Sequence, residues 1–336
     1  MSNGHPFPDL VGAATGVGSL PGTDAREAAK TSTGALEHLP FLPELPARGP
    51  GADMIGRSAG LLVELFAQTE PSGWRFTDRP GRDTRRAHSW LGEDLDALEE
   101  FTQGYRGALK VQAVGPWTLA ASVELKYGEK ALADPGACRD IAGSLTEGLR
   151  RHLADVRRRV PGAQVVLQLD EPSLPAVLAG EVRTASGFQR LRAVDRQLAE
   201  EALRDVIGAL DAPVVVHCCA PRVPLPLLRR AGVAGVSLDF SLLTEREDDD
   251  LGEAVEAGTV ILAGVVPSTD QALSDPAGSV QGVRTLWRRL GFSPELLGRR
   301  VLVTPTCGLA GASPAHARAA LSLSVKAARS LVDNPE

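Results

Sequence analysis

The sequence predicts an α/β protein built as one (β/α)8 barrel over residues 1–336. Two observations lead there. About eight short apolar runs alternate with helix-length stretches, the pattern of right-handed βαβ units around a parallel sheet. Several of those runs also end on a residue able to do chemistry, and barrels of this kind build their active sites at the C-terminal ends of the strands. A doubly wound open sheet fits less well. It has difficulty bringing its first, fifth and eighth strands to a common centre.

Residues 1–10 read as a loose lead-in. Residues 12–21 form a short strand ending in a glycine-serine turn, 25–36 a helix and 39–45 a Pro-broken second strand. Apolar spacing of three and four predicts a helix over 54–66. The arginine-rich region 70–95 is a hairpin or a long loop, and 94–107 is a helix. From there the alternation is regular. Strands fall at 109–116, 163–172, 213–220, 235–240, 259–266 and 300–305, with helices at 134–158 and 193–210 and a short one after the fifth strand. The acidic patch Glu245–Asp250 suits a helix N-terminus, where negative charge is favoured. Ser313 is the expected N-cap of a last helix ending near Leu331.

Composition narrows the function classes. An apolar fraction of 43% supports a sizeable core, and a net charge of −6 without a Lys/Arg-dense block argues against a nucleic-acid partner. No run of about eighteen apolar residues is present, so no membrane span is expected. The first residues lack the basic start and apolar core of a signal peptide. Four cysteines, two of them adjacent, do not resemble a disulfide framework in so long a chain. A cytoplasmic, reduced protein is expected, where such cysteines hold metal or do chemistry.

The stretch Pro213-Val-Val-Val-His-Cys-Cys-Ala220 carries the sharpest signal. Strand alternation turns His217 and Cys219 to one face and Cys218 to the other. An imidazole and a thiolate two residues apart are spaced to share one metal ion, which in proteins takes three or four N, S or O ligands. Val301-Leu-Val-Thr-Pro-Thr-Cys-Gly308 ends similarly on Cys307, and Gly235-Val-Ser-Leu-Asp-Phe240 ends on Asp239. Any one of these is more often a core or capping residue. Together, at equivalent strand ends, His217, Cys219, Cys307 and Asp239 read as a metal site.

These motifs resemble the catalytic C-terminal barrel of cobalamin-independent methionine synthase, in the superfamily that also holds uroporphyrinogen decarboxylase. Four stretches carry the resemblance: Gly16-Val-Gly-Ser-Leu-Pro21, Leu167-Gln-Leu-Asp-Glu-Pro-Ser-Leu174, Val216-His-Cys-Cys219 and Pro305-Thr-Cys-Gly-Leu309. They occur in the family's order over nearly the whole chain. The resemblance implies Zn2+ and methyl transfer to the thiol of homocysteine, giving methionine. It gives the Val17-Gly18-Ser19 turn the substrate carboxylate and Asp170 the ammonium group. It makes His217, Cys219 and Cys307 zinc ligands, with Asp239 at the place of the family's glutamate ligand.

Departures concern the partners. The family's Gly-Glu-x-Glu-Arg-Asn-Asp-Met stretch reads Ala47-Arg-Gly-Pro-Gly-Ala-Asp-Met54 here, with Glu44 just upstream. Thr269 stands near the place of its general-acid histidine, Ser122 at that of its folate-site tryptophan, and Trp117 lies close by. The second, N-terminal barrel of the long folate enzyme has no counterpart. Methyl-folate and a methyl-corrinoid, free or on a partner protein, therefore both remain as donors. A corrinoid-linked enzyme acting on another small thiol, a metal-free decarboxylase and a purely structural zinc site are the alternatives.

Overall fold

The computed structural model describes residues 7, 8 and 10–336. Most of the lead-in expected over 1–10 lies outside the described residues. The first two strands are an antiparallel hairpin, β1 (Phe66–Glu70) and β2 (Gly73–Thr77). The framework is a parallel sheet of six: β3 (Ala108–Val114), β4 (Gln164–Asp170), β5 (Val214–Cys218), β6 (Gly235–Asp239), β7 (Val260–Val266) and β8 (Val301–Pro305), in that spatial order. It curls into a half-barrel. Helices run between successive strands, among them Pro135–Arg159, Arg196–Gly208 and Asp248–Glu256, and Pro314–Asp333 follows β8.

The two expected strands before β1 form no ladder. They are extended segments joined to their neighbours by single parallel bridges: Ala14 with Val303 of β8, Ser19 with Glu44, and Phe41 with Lys110 of β3. Backbone bonds run alongside, Thr15 N–H to the Val303 carbonyl at 3.1 Å and Leu42 N–H to the Lys110 carbonyl at 2.9 Å. Pro21, Pro40 and Pro43 supply no donor, which limits pairing in these segments.

Two other boundaries move. The helix expected over 54–66 stops at Leu61, where Glu64 takes a positive φ and the chain turns into β1. The region 70–95, read as a hairpin or a long loop, holds β2 and only the last residue of β1, and from Arg82 onward it is helix. The helix expected from 94 already begins at Arg82 and runs to Phe101. Its early turns are rich in arginine and present little apolar periodicity to read.

Strand alternation divides the core in two. Outward positions such as Val165, Leu167, Val214, Val216, Cys218 and Ala263 join the large apolar layer beneath the helices. Inward positions form a smaller core of Ala13, Leu39, Ala108, Val166, Val215, Val260, Leu262 and Leu302. Two residues further along the strands the same face turns polar, with Lys110, Gln168, His217, Ser237 and Thr304 all buried. The half-barrel thus has an apolar floor and a polar mouth at the C-terminal ends of its strands.

Candidate metal centre and substrate mouth

Strand register sets the mouth. Asp170 of β4 lies opposite His217 of β5, and His217 opposite Ser237 of β6. The His217 Nδ1 and Ser237 Oγ are hydrogen-bonded at 2.9 Å. The other ring nitrogen, Nε2, is buried and has no partner. Cys219 sits just past β5 and Cys307 just past β8, with their sulfurs 3.5 Å apart. The ligand atoms of His217, Cys219 and Cys307 all lie within 4.8 Å of one another.

That arrangement could hold a metal ion. Tetrahedral zinc bonds N at about 2.0–2.1 Å and S at about 2.3 Å, which places its donors roughly 3.5–3.8 Å apart. An orphaned imidazole nitrogen buried beside two thiols is costly unless something takes its lone pair. The Ser237 contact fixes the ring, as outer-shell partners of metal-binding histidines do. Of the two sulfurs, Cys307 loses its proton first. Its hydrogen bond with Cys219, helped by His217, brings its thiol down to about 4. The same bond pushes Cys219 up. Cys218 faces the outer core, where burial raises its thiol to about 12.

Asp239 is not brought into this group. Its Oδ1 accepts from the Ser241 backbone N–H at 3.0 Å and from the Ser241 hydroxyl at 2.6 Å, capping the turn after β6. A short carboxylate satisfied locally in this way has no need of a metal. Among the described residues, only His217, Cys219 and Cys307 form a candidate ligand cluster.

The Val17-Gly18-Ser19 turn lies against the same mouth. Leu309 N–H donates to the Ser19 carbonyl at 2.9 Å. A Cβ on Gly308 would come within 2.1 Å of the Ser19 hydroxyl, which would have to turn away to admit it. Asp170 Oδ1 accepts from Gln168 Nε2 at 2.7 Å. Burial pushes the Asp170 carboxyl up, against the pull of His217 and of the Gln168 bond. Its neighbour Glu171 turns the opposite way and accepts the Trp117 and Thr118 backbone N–H groups at the start of the helix Pro116–Ser122.

Sequence reasoning gave no role to three interior residues. Glu44 is buried, with Arg57 Nε 3.6 Å away, and burial raises its carboxyl to about 7 with Asp170 adding to the rise. Lys110 is fully buried and donates to the Val17 carbonyl at 2.8 Å. Gln168 donates to the same carbonyl, also at 2.8 Å. A signal for two of them was present: Lys110-x-Gln112 and Gln168-x-Asp170 repeat polar residues at period two inside runs otherwise buried on both faces.

Two residues that the resemblance sets near the methyl donor differ in exposure. Trp117 is buried in the helix layer, its indole N–H donating to the Ala199 carbonyl at 3.2 Å. Thr269 is exposed and accepts from Gln271.

With this geometry in hand, comparison with known proteins is decisive. The family model for the catalytic domain of cobalamin-independent synthase matches residues 12–330. The chain belongs to that family. Its fold is similar to that of a B12-independent methionine synthase from Shewanella sp. W3-18-1, solved in complex with selenomethionine, with a TM-score of 0.62. The match covers 95% of this chain and 97% of that one at 10% identity, which speaks to fold alone. Two endo-β-1,4-mannanases also align: one from Cellulomonas fimi, at 14% identity over 70% of this chain and 58% of that one (TM-score 0.40), and one from Bacillus sp. JAMB-750, at 10% over 90% and 84% (TM-score 0.42). Those scores carry no argument. No curated protein matches the chain in sequence. Membership brings methyltransferase chemistry of the methionine-synthase type, and among the described residues no helix is long and apolar enough to cross a membrane.

Proposed function

We propose that this protein is a zinc-dependent homocysteine S-methyltransferase, working as a single (β/α)8 barrel whose first two strands are the bridged segments around Ala14–Ser19 and Phe41–Glu44. The observation that carries the proposal is the unpartnered, buried Nε2 of His217 beside the paired sulfurs of Cys219 and Cys307. These three residues would hold the metal and leave a position for the substrate. Zinc bound by N and S ligands supplies the Lewis acidity that keeps an incoming thiol deprotonated at neutral pH, where a free thiol with pKa about 8.5 is only a few per cent thiolate.

The remaining roles belong to the chain. Asp170 takes the substrate ammonium group, and Glu44, set in its electrostatic field, serves as the second acidic contact. The Val17-Gly18-Ser19 turn holds the carboxylate. Ser237 keeps the His217 ring in place. The reaction is a displacement at carbon. The substrate sulfur forms the new S–CH3 bond as the bond from methyl to donor breaks, and the donor keeps that electron pair. A methyl-corrinoid donor suits this chain best, because cobalt leaves without needing a proton and Thr269 offers none of a histidine's acidity.

The test is methyl transfer to homocysteine by the zinc-loaded protein, with methylcobalamin and methyl-folate as donors side by side. Methionine formation with either donor supports the proposal. None with both, from protein holding one zinc per chain, contradicts it.

A further inference from the structure

Lys110 presents a problem that the roles above leave unsolved. It lies on β3 inside the half-barrel, is fully buried, and forms no ion pair among the described residues. Burial lowers its ammonium to about 8, with Asp170 and Glu44 acting to keep it charged. A buried cation without a salt bridge costs several kcal/mol and persists only where something compensates for it. Its Nζ is committed to the Val17 carbonyl at 2.8 Å and, more loosely, to Gln112 Oε1 at 3.4 Å, with the Phe41 ring 5.5 Å off. Gln168 Nε2 donates to the same Val17 carbonyl at 2.8 Å. Two buried donors from two strands therefore converge on one backbone oxygen.

The consequence lies on the other side of that peptide. All described peptides are trans, and in a trans peptide the carbonyl and the following N–H point in opposite directions. Holding the Val17 oxygen towards Lys110 and Gln168 turns the Gly18 N–H away from them. That N–H has no acceptor among the described residues, whereas the Gly18 carbonyl accepts from Glu44 N–H at 3.0 Å. An ammonium bonded to the carbonyl also polarises the amide, so its N–H becomes a stronger donor.

We propose that Lys110 and Gln168 are positioning residues that clamp the Val17–Gly18 peptide so that the Gly18 N–H is aimed at the carboxylate of the amino-acid substrate. The inference rests on the reading of homocysteine as acceptor. It makes Lys110 a determinant of specificity for thiols that carry a carboxylate.

The test compares two thiols on the zinc-loaded full chain: L-homocysteine and its decarboxylated counterpart, 3-aminopropane-1-thiol. Calorimetry gives both affinities for wild type and for Lys110→Met, which keeps the length and removes the charge and the donor. Loss of the cation strengthens the pull of Glu44 and Asp170 on any ammonium group, an effect both thiols share, so the ratio of affinities is the readout. Wild type should prefer homocysteine, and that preference should shrink at least about tenfold in Lys110→Met, the scale of one charge-assisted hydrogen bond. An unchanged ratio overturns the inference while leaving the homocysteine reading intact. A wild-type chain that binds neither thiol overturns both. A second measurement does not depend on the variant folding. In glycine-labelled wild-type protein, the Gly18 amide resonance should move downfield on adding homocysteine and stay in place with the amine thiol; equal shifts with both count against the clamp.

Discussion

Cys219 and Cys307 are separated by 88 positions in the chain, yet their sulfurs lie 3.5 Å apart at the mouth of the sheet. They come from the ends of β5 and β8, two strands that do not pair with each other. Only a curled sheet closes that gap. The fold and the candidate metal centre are therefore one feature, and the sulfur pair is where to test it.

Replacing Cys307 with Ser should remove most of the zinc, because His217 and Cys219 alone are too few ligands for a stable site. Cys218→Ala should retain the metal and cost on the order of 1 kcal/mol in packing. Metal analysis of the two purified variants checks both. Asp239→Asn belongs in the same series and should keep its zinc, since that carboxylate is taken up by Ser241.

Asp170→Asn conserves shape and removes the charge proposed to face the substrate ammonium. Homocysteine affinity should fall by roughly 1.5–3 kcal/mol, with zinc content unchanged. An unaltered homocysteine dependence would place the acceptor elsewhere.

Glu44 makes a pH prediction. Burial raises its carboxyl to about 7, so it is charged above that pH and takes up a proton below it. Methionine is the cleaner probe, as it has no thiol to titrate. Its affinity for the zinc-loaded protein should weaken as pH falls through about 7. Glu44→Gln should bind it weakly at every pH between 6 and 8, with no such transition. Identical profiles for the two proteins would remove Glu44 from the site.

His152 controls a different limb. It is buried in the helix Pro135–Arg159, and burial, reinforced by Arg57, lowers its imidazole from 6.5 to about 4. Between those values the unfolded chain binds the extra proton and the folded chain does not. The stability contribution is thus present above pH 6.5 and lost as pH falls towards 4. Measured against His152→Gln, wild type should lose up to ~3 kcal/mol of relative stability over that range by denaturant titration. A flat difference would mean that the ring is protonated in the native state.

The donor is the remaining question. Thr269 is exposed and, on the family resemblance, stands near the place of a general-acid histidine, and a folate amine leaves poorly unless it is first protonated. Methylcobalamin or a methyl-corrinoid protein should therefore exceed methyl-folate triglutamate by at least about tenfold in turnover, the conservative worth of one general acid. Efficient transfer from methyl-folate with no corrinoid present would reverse this.

The sequence made the strand ends legible and the interior less so. His217, Cys219 and Cys307 stand out because each terminates an apolar run, and period-two alternation alone assigned Cys218 to the opposite face. Asp170 was singled out as a strand end and by the family resemblance, and strand register sets it opposite His217. Asp239 also terminates a strand, but whether its carboxylate turns to a metal or to its own backbone depends on the Ser241 turn, which spacing does not encode. Glu44 was obscured by the prolines around it, since Leu39 to Leu45 contributes single bridges in place of a ladder. The β1–β2 hairpin was half legible, since 70–95 offered a hairpin or a long loop while Phe66 at the start of β1 was joined to the preceding helix.

The central claim is that one metal held by His217, Cys219 and Cys307 activates the thiol. It is tested most directly by measuring homocysteine methylation with the protein as purified, after removal of zinc by chelation, and after zinc is restored. The account predicts about one zinc per chain, loss of methionine formation with the metal, and its return when zinc is added back. Full activity in the stripped protein would contradict it.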